Sequence, residues 1–255
     1  MSTPTLDELR QVVQPAEKMQ RRNGEHWAGL LYMRWISLRV TRLLVNSPIT
    51  ANGYTYLMIL AGFGAGAALL IPGVAGAVLG ALLIQVYLLL DCVDGELARW
   101  RRQTSITGVY LDRVGHYLCE AAFLVGLGFR AADLHFDGWT VLGFTAALAV
   151  VLVKSETDLV DVARTRSGLP AATDSAAIPR ARGAAKARTL ASAFKIHRLI
   201  GGVEASLLVL VAGIADAFAT GRPFTQAAVA VLAAIALAMV VLHFVSIVMS
   251  SRLKG

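Results

Sequence analysis

Apolar residues in this chain run in long blocks rather than alternating with polar ones. A helix needs ~20 mostly apolar residues to cross ~30 Å of hydrocarbon. Six blocks meet that length with few charges: Asn52 to Ile71, Val74 to Leu97, Gly108 to Ala131, Gly138 to Val160, Leu199 to Ala219 and Thr225 to Val248. The connectors Pro72-Gly73 and Asp133 to Asp137 are short, so the helices they join are expected to be antiparallel hairpins. Trp27 to Val45 follows another pattern. There Arg34, Arg39 and Arg42 interrupt Leu30, Leu31, Ile36, Leu38, Leu43 and Leu44, which fits an amphipathic helix in the headgroup layer. A seventh span is the weaker alternative, because Arg39 would sit near mid-depth. The expectation is an all-α integral membrane protein: residues 1–48 form a cytoplasmic N-terminal segment with an interfacial helix, and residues 49–255 form a six-helix transmembrane domain.

Composition agrees. The chain of 255 residues is 56% hydrophobic and 16% charged, with mean hydropathy +0.61, which excludes an ordinary soluble domain. Aromatics are only 7% while Ala, Leu, Val and Gly recur, which suits closely packed helices better than a barrel with aromatic girdles. The net charge of +7 is concentrated in particular loops. Arg99, Arg101 and Arg102 follow the second block, and Arg164, Arg166, Arg180, Arg182, Lys186, Arg188, Lys195 and Arg198 lie between the fourth and fifth. Arg252 and Lys254 close the chain on the same side, whereas the opposite loops offer little beyond Arg130 and Arg222. The positive-inside rule puts both termini in the cytoplasm of a multi-pass protein of the cell (inner) membrane. Such charge reports topology and anionic headgroups, and no nucleic acid is expected as a partner. Residues 1–26 lack an apolar h-region, so no signal peptide is expected. Cys92 and Cys119 fall within apolar blocks near the cytoplasmic side, and no disulfide is expected. The stretch Arg164 to Ala193, rich in Ala, Arg, Ser, Gly and Pro, is expected to be a cytoplasmic connection.

Carboxylates inside or beside a membrane are costly, so their placement is informative. Asp91, Asp94, Gly95 and Ala98 share one face at the cytoplasmic end of the second block, followed by Arg99. The third block opens with Gly108, Asp112 and His116, again on one face. Consecutive antiparallel helices bring both faces to the same depth. Three carboxylates gathered there repel one another unless a cation neutralises them, and hard oxygen donors select Mg²⁺, Ca²⁺ or Mn²⁺. The small residues Gly95, Ala98 and Gly108 leave room for a ligand against the backbone. A phosphate-bearing substrate on a divalent metal is the inference.

The run Asp91, Asp94, Gly95, Ala98, Arg99, Gly108, Asp112 resembles the signature of the CDP-alcohol phosphotransferase family, D-x2-D-G-x2-A-R-x8-G-x3-D-x3-D, with His116 where the family has its last aspartate. The stretch Thr50 to Thr55 is similar to the family's P-N-x2-T entry, with Ala51 in place of proline. The resemblance implies transfer of a phosphoalcohol group from a CDP-linked donor, such as CDP-diacylglycerol, to an acceptor hydroxyl with release of CMP, in phospholipid synthesis. It also implies a homodimer and Mg²⁺ or Mn²⁺ as cofactor, two ions, held by Asp91, Asp94, Asp112 and His116. Gly95, Ala98, Arg99 and Gly108 would line the nucleotide site, and His116 would act as the base. Imidazole, with an ordinary pKa of ~6.5 against ~3.9 for aspartate, is the stronger proton acceptor near neutrality.

Competing readings accompany each assignment. The aspartates could instead pair with Arg99, Arg101 or Arg113. Lys154, Glu156, Asp158 and Asp161 read as a mutually paired interfacial cluster. Lys195, His197 and Arg198 could bind an acceptor phosphate or simply obey the positive-inside rule. His26, His135 and His243 have no ligand spacing. At the level of the whole protein, a transporter would carry its charges near mid-membrane on discontinuous helices, whereas these acids lie toward one helix end. A non-catalytic nucleotide- or lipid-binding relative stays open because of His116.

Overall fold

The computed structural model describes residues 4–15, 29–170 and 202–253, and these residues form helices and turns with no strand. The helices are α1 Leu6–Val13, α2 Arg34–Leu44, α3 Ala51–Ala68, α4 Gly73–Trp100, α5 Ile106–Ala131, α6 Gly138–Arg166, α7 Gly202–Ala215 and α8 Pro223–Met249. A π-helical turn, Gly29–Met33, leads into α2, and a 3₁₀ turn, Asp216–Phe218, follows α7. Among them, α4, α6 and α8 are long and apolar enough to cross a membrane. The remaining apolar blocks are helical as well, α3 over 18 residues, α5 over 26 and the described part of α7 over 14.

Helix α4 packs against α3 and α7, α5 against α3 and α6, and α6 against α8. The shared core includes Leu69, Ile84, Phe123, Leu127, Val150, Val209 and Leu232. Around it, Leu60, Leu148, Val211 and Val241 are exposed, so the bundle carries apolar side chains inside and out, as helices solvated by lipid do. Small residues set the spacing. A Cβ on Gly126 would lie 2.2 Å from the Gly66 carbonyl oxygen, so α3 and α5 touch backbone to backbone there.

At the end away from the charged loops, Arg130 is buried and donates to the carbonyls of Ile71 (3.1 Å) and Gly73 (2.7 Å), closing the α3–α4 turn. Arg222 donates to the Arg130 carbonyl at 2.8 Å and pairs with Asp133. The two basic residues that stood apart from the positive-inside pattern therefore tie turns together.

Helix α1 lies within the segment read as polar. Thr5 and Glu8 form a capping box, a signature present in the sequence, and Leu9 and Val13 are buried against Leu38, Val93 and Leu97. In α2 the buried residues are Ser37, Leu38 and Thr41, while Trp35 and Leu43 are exposed. Its two small hydroxyl residues thus face the protein together with Leu38, while Arg42 is exposed. The connection from Arg164 to Ala193 falls largely outside the described residues, as do His26, Lys195, His197 and Arg198.

Candidate metal and nucleotide site

The site forms where α4 ends, the chain turns, and α5 begins. Ser105 caps α5 by accepting from the Gly108 amide at 3.0 Å, which starts the helix just before the first signature residue it carries. Seven residues singled out in the sequence, Asp91, Asp94, Gly95, Ala98, Arg99, Gly108 and Asp112, line one cavity of about 390 Å³. Ala51, Asn52 and Thr55 of α3, Arg34 of α2 and residues 103–105 also line it. A Cβ on Gly108 would lie 2.9 Å from Asn52 Oδ1, so a larger residue there displaces the wall or fills the cavity.

His116 lies one turn beyond Asp112 on α5 and is not part of that wall. Its Nε2 sits 3.0 Å from Asp91 Oδ1 and 3.5 Å from Asp112 Oδ1. The ligand atoms of these three residues all lie within 4.8 Å of one another. Ligands in adjacent positions of an octahedral Mg²⁺ sphere are about 3 Å apart, given metal–ligand distances of ~2.1 Å, so the spacing fits a small divalent ion. The chemistry of the donors agrees: two carboxylate oxygens and Nε2 converge, and only a proton or a cation between them makes that convergence favourable. Asp94 stands apart from the cluster on the same cavity, and its Oδ2 accepts from Thr55 Oγ1 at 2.6 Å.

The other ring nitrogen of His116, Nδ1, is hydrogen-bonded to the hydroxyl of buried Tyr87, which meets the imidazole edge-on with centroids 5.6 Å apart. Tyr87 precedes Asp91 by one helical turn on α4, so the two share a face. That spacing was visible in the sequence, although a tyrosine inside an apolar block carries no signal of its own.

Glu96, also missed, occupies the position after Gly95 and is fully buried. Its Oε1 accepts from Gln14 Nε2 and Ser37 Oγ, each at 2.8 Å, and its Oε2 from Thr41 Oγ1 at 2.7 Å. Arg34 Nη1 lies 3.8 Å away. One carboxylate thus fastens α1 and α2 to the back of the site. Arg99 adds a second tie, donating from Nε to the Val13 carbonyl at 2.8 Å.

The alternative pairings fall elsewhere. Arg101 donates to the carbonyls of Leu44, Val45, Ser47 and Ile49, and Arg113 pairs with Asp158, which also accepts from Tyr117. Lys154 pairs with Glu120 of α5 at 3.1 Å. The expectation that Lys154 and Asp158 pair within their own helix is therefore corrected: both turn toward α5, whose opposite charges lie across the helix contact. His135 contacts the Ala132 carbonyl, His243 contacts Thr157, and Cys92 and Cys119 are buried and form no disulfide.

A family model described as CDP-alcohol phosphatidyltransferase matches residues 48–253. The chain is 30% identical over 135 residues to the bifunctional IPC transferase and DIPP synthase of Thermococcus kodakarensis, covering 53% of this chain and 30% of that protein. It is 33% identical over 127 residues to the protein of the same description from Aquifex aeolicus, covering 49% of this chain and 28% of the relative. The match thus spans less than a third of either relative's length.

Proposed function

The chain belongs to the CDP-alcohol phosphatidyltransferase family, and from that premise we propose that it transfers a phosphoalcohol group from a CDP-linked donor to an acceptor hydroxyl, releasing CMP. The observation that carries the reading is the convergence of seven signature residues on one cavity beside the Asp91, Asp112 and His116 cluster. CDP-diacylglycerol is the proposed donor and a membrane lipid the product.

Asp91 and Asp112, with Asp94 beside them on the cavity, would supply anionic oxygens to a divalent cation, Mg²⁺ or Mn²⁺. When bound, that ion neutralises the donor diphosphate and stabilises the CMP leaving group. The resemblance implies a pair of ions, and the donors at hand suffice for at least one. Gly95, Ala98 and Gly108 keep the cavity open to the nucleotide, while Arg99 and Arg34 bring positive charge to its phosphates. The acceptor oxygen bonds to the phosphorus on the alcohol side, the P–O bond to CMP breaks, and the hydroxyl proton passes to His116 Nε2. In the tautomer whose Nδ1–H donates to the Tyr87 oxygen, the ring would keep a lone pair on Nε2 for that step.

We place the site at the cytoplasmic face of a six-span, multi-pass protein of the cell membrane, with α2 lying in the headgroup layer, exposed Trp35 and Leu43 toward lipid. A homodimer through small-residue helix faces completes the proposal. Protein purified into lipid nanodiscs, supplied with CDP-donors, alcohols and Mg²⁺ or Mn²⁺, should release CMP, and chelation should stop it. CMP release that survives chelation refutes the reading. The engagement of both His116 nitrogens supports one rival, a binding-only relative, which would retain CDP and never release CMP from any donor–acceptor pair.

A further inference from the structure

We propose that Glu120 and Lys154 form an acceptor subsite that selects an uncharged polyol. The inference deepens the proposed transfer and rests on it, but the pair lies outside the nucleotide cavity and outside the signature run. Glu120 is one helical turn beyond His116 on α5, about 6 Å along the axis. It is buried, and its Oε1 meets Lys154 Nζ of α6 at 3.1 Å. Glu120 stands about 21 Å from the first residue of α5 and Lys154 about 18 Å from the last of α6, which places the pair within the hydrocarbon part of the bundle. Charges at that depth are costly and face the protein interior or water. The Lys154 side chain is 30% exposed and that of His116 26%. A lysine turned into lipid there would be expensive, so its open part borders a water-accessible space on the α6 flank of His116, away from the cavity that α2 and α3 help to line.

The helices do not need the pair to stay together. Phe123, Leu127 and Val150 already pack α5 on α6, and a Cβ on Gly128 would lie 2.8 Å from Gly143 Cα. Apolar residues of similar volume hold such a contact as well as a buried ion pair does. What the pair adds is a donor beside an acceptor, and a hydroxyl group uses both: it accepts from the ammonium and donates to the carboxylate. One hydroxyl attacks beside His116 Nε2 and another reaches the pair, so the acceptor carries more than one. Charge decides against a phosphorylated acceptor. Lys154 is matched by Glu120, and Arg113, nearer the start of α5, by Asp158. Both described cations that face across the α5–α6 contact are thus neutralised, and a phosphate drawn to Lys154 would bring its charge against the Glu120 carboxylate.

The test compares acceptors that differ only in a phosphate. Protein in nanodiscs is supplied with CDP-diacylglycerol and Mg²⁺ and offered glycerol, myo-inositol and the monophosphate of each. CMP release is expected to favour the better polyol over its monophosphate in kcat/KM. Glu120→Gln should raise the polyol KM about 10–100-fold, the worth of a hydrogen bond to a charged group, and narrow or invert the preference because Lys154 is left uncompensated. The double variant Glu120→Leu with Lys154→Met removes both charges and keeps the packing. It should lose the polyol to the same degree while binding CDP as the wild type does, since neither residue lines the nucleotide cavity. A wild type that prefers the monophosphate, or a double variant with the wild-type polyol KM, overturns the subsite. A double variant that no longer binds CDP makes the pair a structural staple and overturns it as well. If the wild type releases no CMP from any acceptor, the transferase reading fails, and calorimetric titration of the polyols into CDP-loaded protein decides the subsite: saturable binding that the double variant loses upholds it, and no binding overturns it.

Discussion

Replacing Glu96 by alanine tests whether the N-terminal helices are structural parts of the site. The wild-type carboxylate is fully buried and accepts from Gln14, Ser37 and Thr41 at 2.7–2.8 Å. Hydrogen bonds to a charged acceptor are worth about 1.5–3 kcal/mol each, so three would suggest ~4.5–9 kcal/mol. Two of the donors have a fallback: Gln14 Nε2 is also 3.1 Å, and Ser37 Oγ 3.3 Å, from the Arg34 carbonyl. Arg34 itself is a quarter exposed and 3.8 Å distant, so it loses little when its partner is removed. The expected destabilisation is therefore about 3–5 kcal/mol, the range for breaking a buried charged network. At ~2–4 °C per kcal/mol for a chain of this size, Tm should fall by roughly 6–20 °C. Limited proteolysis should cut α1 and α2 before the bundle, and CDP should bind more weakly because Arg34 lines the cavity. Glu96→Gln, which keeps one acceptor oxygen, should fall between alanine and wild type. An alanine variant with unchanged Tm, protease pattern and CDP affinity would refute the reasoning.

Other expectations concern the cavity itself. Asp91→Asn and Asp112→Asn each remove a hard anionic donor and should abolish cation-supported CDP binding, measured by calorimetry; unchanged affinity in both removes the metal assignment. Gly108→Leu should block CDP while the bundle keeps its Tm, since the first added carbon already meets Asn52 Oδ1 at 2.9 Å, and normal binding in that variant moves the pocket elsewhere. By contrast, Gly126→Leu should lower Tm or prevent folding, because its first carbon would lie 2.2 Å from the Gly66 carbonyl oxygen. His116→Ala should cut turnover about 10²–10⁴-fold while sparing CDP binding, and wild-type turnover in it means that another group is the base.

What the sequence disclosed follows from where the partners of each residue lie along the chain. Asp91, Asp94, Gly95, Ala98, Gly108 and Asp112 sit on two consecutive helices joined by a short turn, so helical periodicity alone brings them to one cavity. The network behind the cavity has no such locality. Gln14 reaches Glu96 across 82 positions, and Thr41 does so across 55. Tyr87 lies 29 positions from His116, and nothing in an apolar block marks the one hydroxyl that will find an imidazole. An amphipathic helix in the headgroup layer was the expectation for α2, yet Ser37 and Thr41 are buried, because Glu96 gives them an acceptor that neither lipid nor apolar core could. Glu96 follows Gly95 directly, about 100° further around the helix, so a single turn of α4 meets the cavity on one side and the N-terminal helices on the other. The spacing that brings the signature residues to one cavity therefore also fixes where Arg34 arrives at its rim, carried there by a helix the signature does not contain.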